Sequence, residues 1–193
     1  MMPPRPGNHR YIFGGDTPWR AEAWVASDDG VRGGKSASYL AAEDTSVRFH
    51  GEVDTAALGG AGFASRRSPD NMGPWDLSGF DGLRLSVAGG DARRYTLVLK
   101  DEVPAGPARS SVSWECHFVG RTTELEVRWA DFSPTYRGLP VVDARPLDVA
   151  CIRRVGIMMR SFFGEQEGSF SLWLRYIAAV EIPGPGCASG TTA

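Results

Sequence analysis

The sequence predicts an all-β fold, a single-domain sandwich of two sheets. Two observations carry this. Turn-forming residues punctuate the chain every ten residues or so, with 24 Gly and 13 Pro among 193 residues. The runs between them alternate apolar and polar side chains, the period-2 signature of a half-buried strand, while helical periodicity is nearly absent. The length, with 42% hydrophobic residues, suits one domain with a substantial core.

In chain order, residues 1–8 are Pro-rich, and residues 1–10 are expected to form a disordered tail. Residues 16–25 and 146–152 each have room for a turn or two of helix. Residues 36–40 read as extended chain, and residues 47–53 and 62–66 as strands. Leu83, Leu85 and Val87 then point one way while Arg84 and Ser86 point the other. Residues 95–100 and 112–118 come next. Leu125, Val127 and Trp129 alternate with Glu124, Glu126 and Arg128, which marks an antiparallel strand with a charged outer face. Residues 155–159 and 170–174 bring the total to about nine or ten short strands. Leu83, Leu85, Leu97, Leu99, Ile157, Leu172 and Leu174 are the expected core. Pro183-Gly184-Pro185-Gly186 opens a small, polar stretch, so residues 183–193 are expected to be a second tail and the domain to span 11–182. No repeat of ~20–50 residues points to a propeller or solenoid.

Charge and cysteine usage narrow the function classes. A net charge of −2 and a pI near 5.9 argue against a polyanion-binding surface, and so against DNA and autonomous RNA binding. Only Lys35 and Lys100 are lysines, so nearly all of the 21 basic residues are Arg, which makes planar, bidentate carboxylate contacts that Lys does not. The three cysteines, Cys116, Cys151 and Cys187, are odd in number and form no Cys-x-x-Cys, and no Asn-x-Ser/Thr occurs. A reduced, intracellular protein is the expectation. No apolar run approaches the ~20 residues that span a bilayer, so no membrane insertion is expected. Residues 1–13 carry Arg5 and Arg10 and no acid, yet three prolines and no amphipathic period make a poor transit peptide. The compartment stays open between cytoplasm and mitochondrion.

The most informative segment runs from Asp28 to Ser38. Its Gly30-Val31-Arg32-Gly33-Gly34-Lys35-Ser36 imitates a phosphate-binding loop, but that loop needs four residues between its first Gly and the Gly-Lys pair, and a helix after it. Gly30 leaves three residues, and the position with the correct spacing is Asp29, whose carboxylate would face phosphate oxygens. Beyond Lys35 the chain reads as a strand. The segment is therefore a rigid turn, in which Gly33 and Gly34 supply positive φ or close backbone approach. One of Asp28 and Asp29 is expected to cap the turn through backbone N–H groups, and one to meet an Arg from Arg32, Arg137 or Arg160.

Several segments read together carry a resemblance. In order they are Phe13-Gly14-Gly15 before Trp19, the Ser27–Ser36 turn, Leu58-Gly59-Gly60-Ala61-Gly62-Phe63-Ala64-Ser65, Trp75-Asp76-Leu77-Ser78-Gly79-Phe80-Asp81-Gly82-Leu83 and Tyr95-Thr96-Leu97-Val98-Leu99-Lys100-Asp101. Trp129-Ala130-Asp131-Phe132-Ser133-Pro134, Val155-Gly156-Ile157-Met158-Met159-Arg160-Ser161 and Gly168-Ser169-Phe170-Ser171-Leu172 complete the series. In content and order these resemble the complex I intermediate-associated protein 30 family, in its short stand-alone fungal form. The resemblance implies a galactose-binding-domain-like jelly roll and, for the best-known members, help in assembling mitochondrial respiratory complex I as a chaperone. The partners it implies are respiratory complex I subunits or assembly factors.

The candidate partner- or ligand-binding residues are Asp28, Asp29, Arg32, Gly33, Gly34, Lys35, Ser36, Trp75, Arg137 and Arg160. Trp75 is weighed as a stacking platform against a lid on the core. Lys100-Asp101-Glu102 reads as a solvated strand end. Catalysis has little support in the sequence. Cys116 and His117 are adjacent in a strand and so point to opposite faces, and neither a Gly-x-Ser-x-Gly elbow nor a His-Glu-x-x-His motif occurs. No cofactor or metal is expected. The expected function is a non-catalytic protein-binding module; the alternative is a lectin-like module for a carbohydrate or small polar ligand.

Overall fold

The computed structural model describes residues 8–104 and 110–183. The strands are β1 (His9–Gly14), β2 (Val25–Ala26), β3 (Ala37–Glu43), β4 (Ser46–Val53), β5 (Phe63–Arg67), β6 (Gly82–Gly90), β7 (Arg94–Lys100), β8 (Ser113–Val119), β9 (Glu124–Arg128), β10 (Ser133–Tyr136), β11 (Leu139–Pro140), β12 (Arg154–Arg160) and β13 (Gly168–Val180). They form two antiparallel sheets. One has the order β3-β4-β13-β6-β9 with β1 also paired to β13; the other runs β11-β10-β8-β7-β12-β5-β2. The predicted jelly-roll sandwich is the observed architecture. Residues 16–25 and 146–152 yield only single 3-10 turns, Ala21–Ala23 and Val149–Cys151.

The alternation read from the sequence sorts side chains as expected. Leu83, Leu85, Leu97, Leu99, Ile157, Leu172 and Leu174 are all fully buried between the sheets, joined by Phe49, Tyr95 and Phe170 in a ring cluster. The thirteen-residue β13 organises its sheet: its first half pairs with β4, its second half with β1, and β6 runs along its other side.

The strand pairing also revises the N-terminal boundary. His9 and Arg10, assigned to a tail by their Pro-rich neighbours, pair with Val180 and Ala179. Proline content marks residues 3–6, not the strand behind them. The remaining tail residues, 1–7 and 184–193, lie outside the described residues, as does Cys187. Cys116 and Cys151 are free thiols.

Leu85→Ala or Leu174→Ala is expected to lower the unfolding free energy by about 2–5 kcal/mol, because neither sheet can collapse into the void. A urea titration with an unchanged slope would read this directly. A loss below ~1 kcal/mol would contradict the buried interface.

Candidate functional site

The outer face of the seven-stranded sheet is a groove of about 960 Å³. Register builds its floor. Met158 lies opposite Ser65, Gly156 lies between Arg67 and Val98, and Val98 lies opposite Glu115. Successive outward positions of β5, β12, β7 and β8 thus share one surface, and their inward neighbours enter the core. The floor is deep: Val98 is 8% and Glu115 5% exposed although both face away from the core. Walls come from the 28–32 turn, the 137–139 hairpin and the 161–163 loop.

The 28–38 segment forms one wall, and the structure corrects the expectation of an Arg partner there. Asp28 accepts from the Ser38 amide (3.1 Å), the Ser38 hydroxyl (2.6 Å) and the Ser65 amide (2.8 Å). Asp29 repeats the pattern with the Ser36 amide (3.1 Å), the Ser36 hydroxyl (2.6 Å) and the Phe63 amide (3.0 Å). Neither meets Arg32, Arg137 or Arg160. Short carboxylates reach neutral N–H and O–H donors at alternate positions, Ser36 and Ser38 on one side and Phe63 and Ser65 on the other, so the guanidinium groups go elsewhere. Arg32 lies over the Phe63 ring, Arg137 over Tyr136, and Arg160 pairs with Glu115 at 2.7 Å. Gly33 adopts φ 82°, whereas at Gly34 a Cβ would sit 2.2 Å from the Asp29 carboxyl carbon. The two glycines serve different needs, one of conformation and one of space.

Of the residues singled out from sequence, Asp28, Arg32, Ser36, Arg137 and Arg160 line the groove. Asp29 is wholly buried behind it. Lys35 lines a smaller recess with Tyr39 and His50. Trp75 is not among the lining residues; it packs edge-on against Phe13 at the core, its backbone bridged to Ile152. This half-buried placement against the core is the one the core-lid reading describes.

The groove also contains residues that sequence reasoning missed. Arg67, Lys100 and Arg154 stand on the floor, and Val31, Leu139 and Phe163 ring it, 92%, 65% and 84% exposed. Counting Arg32, Arg137 and Arg160, six cationic side chains face two acids, Asp28 and Glu115. Three of the cations have carboxylate partners, Arg67 and Arg154 at Asp70 and Arg160 at Glu115, and the balance leaves a net positive trough on a protein of net charge −2. Among the described residues its aromatic lining is Phe63, Phe162 and Phe163, with no tryptophan or tyrosine. Lys100-Asp101 is not a solvated strand end. Asp101 is buried and accepts from Arg145 (2.8 Å) and the Asp148 amide (2.9 Å), and Lys100 donates to the carbonyl (2.9 Å) and hydroxyl (3.1 Å) of Ser111.

Electrostatics follow from this crowding. Burial, then the charge of Arg154, pushes the Lys100 ammonium down to about 8. Burial and then Arg160 lower His117, whose Nδ1 lies 2.9 Å from the Thr96 hydroxyl. The Arg154 guanidinium hydrogen-bonds Asp70 and holds that carboxyl below its usual range. Glu115 and Arg160 form a close ion pair that lacks hydrogen-bond alignment, so Glu115 Oε2 and Arg160 Nε have no hydrogen-bond partner among the described residues. Among those residues no group of three or more His, Cys, Asp or Glu is placed to hold a metal ion.

Comparison with known proteins places the chain. The sequence pattern of complex I intermediate-associated protein 30 matches residues 13–174. The chain belongs to that family. An uncharacterized protein of Schizosaccharomyces pombe is 37% identical over 181 residues, spanning 88% of this chain and 83% of its own length. In three dimensions the chain is similar to the family 11 carbohydrate-binding module of the cellulosomal cellulase Lic26A-Cel5E of Clostridium thermocellum. The TM-score is 0.63 at 10% identity, over 93% of this chain and 99% of that one. A second structure of the Clostridium thermocellum module, in complex with a β-1,3-1,4-mixed-linked tetrasaccharide, gives 0.60 at 14% identity, over 90% and 95%. An agarase, AgWH50C, gives 0.51 at 9% identity over 92% of this chain and 25% of that one. At these identities the likeness shows the fold, a jelly-roll module.

Two outcomes test this site. Asp29→Ala strands the Ser36 and Phe63 amides at a buried site and is expected to cost about 2–4 kcal/mol, whereas Arg32→Ala should stay within ~0.5 kcal/mol, both read by urea denaturation. A large loss for Arg32→Ala would restore the Asp–Arg contact. Lys100 carries a folded-state value below its unfolded 10.5, so its charge costs stability below about pH 8. That cost is released as pH climbs toward 10.5, where the unfolded chain holds a proton that the folded one does not. The stability of wild type relative to Lys100→Met should therefore be flat below pH 8 and rise between the two values.

Proposed function

We propose that this protein is a non-catalytic binding module that assists assembly of respiratory complex I, and that it holds an acidic, extended segment of a partner protein in the groove of the seven-stranded sheet. Family membership supports the assembly role. The feature that carries the binding reading is the groove's composition, an Arg- and Lys-lined floor under a rim of exposed Val31, Leu139 and Phe163. Positive charge in a low-dielectric trough attracts acidic side chains, and exposed aliphatic and aromatic side chains supply contact area that a partner would desolvate.

The carbohydrate reading draws on the likeness to modules of family 11, one of them bound to a tetrasaccharide. The floor chemistry weighs against it. A neutral sugar favours open aromatic faces and uncharged hydrogen-bond partners; among the described residues the aromatic lining is Phe63, Phe162 and Phe163, of which Phe63 and Phe162 are already covered by arginines. The groove offers six cations, whose desolvation a neutral ligand would not offset.

The rim side chains are exposed, so Leu139→Asp with Phe163→Asp should leave the melting temperature within a few degrees. Capture of complex I subunits at native expression, quantified by mass spectrometry, should fall at least ~10-fold, about 1.4 kcal/mol. Binding of an acidic peptide should weaken as salt is raised. Intact capture by the double variant, or strong salt-insensitive binding of neutral β-glucans in the groove, would overturn the proposal, the second in favour of the carbohydrate reading.

A further inference from the structure

We infer that the groove floor contains a subsite for an oxyanion, a carboxylate or phosphoryl group, formed by Lys100, Arg154 and Ser113. The inference deepens the groove-binding reading by naming what the floor recognises, but its geometry stands apart from the identity of any partner. Lys100 ends β7 and Arg154 opens β12, and the two are direct antiparallel partners with both side chains lining the groove. Like charges directly opposite across a sheet destabilise it. Arg67, from β5, adds a third cation to the same corner.

The carboxylates nearby already have partners, and Asp70 takes both arginines of this corner, which leaves Lys100 as its unpaired cation among the described residues. Asp70 binds Arg154 through Nε and Nη2, the latter at 2.8 Å, and Arg67 at 3.1 Å. Glu115, on β8, pairs with Arg160 at 2.7 Å. Asp101, the next residue after Lys100, is taken by Arg145 and the Asp148 amide. The Lys100 ammonium is left with two neutral acceptors, both on Ser111, and among the described residues no carboxylate lies within 4.0 Å of it. One of its three N–H donors is therefore uncommitted. Ser113, beside the Leu99–Trp114 pair on β8, brings a hydroxyl to the same floor. A half-buried ammonium set opposite an arginine, without its own counter-ion, is an arrangement that a bound anion completes. Burial first, and then the Arg154 charge, depresses the titration of Lys100.

The chain suits a direct test, because Lys35 and Lys100 are its only lysines. With lysine labelled at 13Cε, two side-chain resonances report the two positions, and Lys100→Met assigns them. Without an oxyanion Lys100 should titrate near 8. Saturating inorganic phosphate, or separately a short Asp/Glu peptide, should raise it by about one unit or more, while Lys35, outside the groove, stays put. Sodium chloride at matched ionic strength should not reproduce the shift. Arg154→Gln should abolish the phosphate response, and Arg84→Gln, on the other sheet, should not. A response to phosphate alone assigns the subsite to phosphoryl groups; a response to peptide assigns it to carboxylates. If neither moves Lys100 beyond chloride, or if Lys35 moves equally, the subsite is overturned, and partner loss in the Leu139/Phe163 rim variant would still stand on its own.

Discussion

Two consecutive carboxylates hold the sandwich in register. Asp28 ties Ser38 on β3 to Ser65 on β5, and Asp29 ties Ser36, just before β3, to Phe63 at the start of β5. Strand β3 belongs to the six-stranded sheet and β5 to the seven-stranded one, so each aspartate spans the seam between sheets. Ser38 reinforces it, donating to the Ser65 carbonyl at 3.1 Å. Hydrophobic burial gives the sheets a reason to meet but little preference for how they slide, since it is non-directional. Charge-assisted hydrogen bonds are short and directional. They set the position of β5, the strand that delivers Arg67 and Phe63, and fold the wall that carries Val31 and Arg32.

The two faces of the seven-stranded sheet solve opposite problems with one alternation. Leu97, Leu99 and Ile157 point inward and are fully buried; Val98, Lys100 and Met158 point outward from the same strands. The outward set is shielded because the 137–139 and 161–163 segments rise around it, with left-handed backbone at Arg137, Phe162 and Phe163. Non-glycine residues in that region carry a cost of order 1–3 kcal/mol each, and here they turn Phe162 down over the Arg94 and Arg160 guanidinium groups. The same jelly-roll frame can thus present different outer surfaces in different proteins, here a cationic trough, because recognition resides in the outward positions and the fold in the inward ones.

Sequence reasoning reached the inward half and stopped short of the outward half for a physical reason. Period-2 alternation states which residues of one strand share a face, so the core leucines and the sandwich were legible. It does not state which strands are neighbours. Arg67, Lys100, Glu115 and Arg154 meet only because β8, β7, β12 and β5 lie side by side, an order that hydrogen-bond register and not residue pattern decides. The failed phosphate-loop spacing correctly denied Asp29 a nucleotide, yet the Ser36 and Ser38 hydroxyls were underrated as partners beside the more conspicuous arginines. Trp75 drew attention as an aromatic near a turn; its burial against Phe13 depends on β1, whose own start the neighbouring prolines obscured. Strict alternation at Arg154, Gly156, Met158 and Arg160 was the available signal for the floor, two cations on the outward face of an apolar strand.

The seven-stranded sheet ends on either side in a strand of only two residues, β11 and β2. So short a border offers few unpaired peptide groups, which protects it from being extended by another chain and equally denies a visitor any backbone ladder to join. Whatever settles on this sheet must be gripped by side chains across its face. Grip of that kind is largely coulombic and weakens within a Debye length that the surrounding electrolyte sets. On the proposed reading, hold and release then become a matter of local ionic conditions and of competing anions, and require no chemical step from the protein itself.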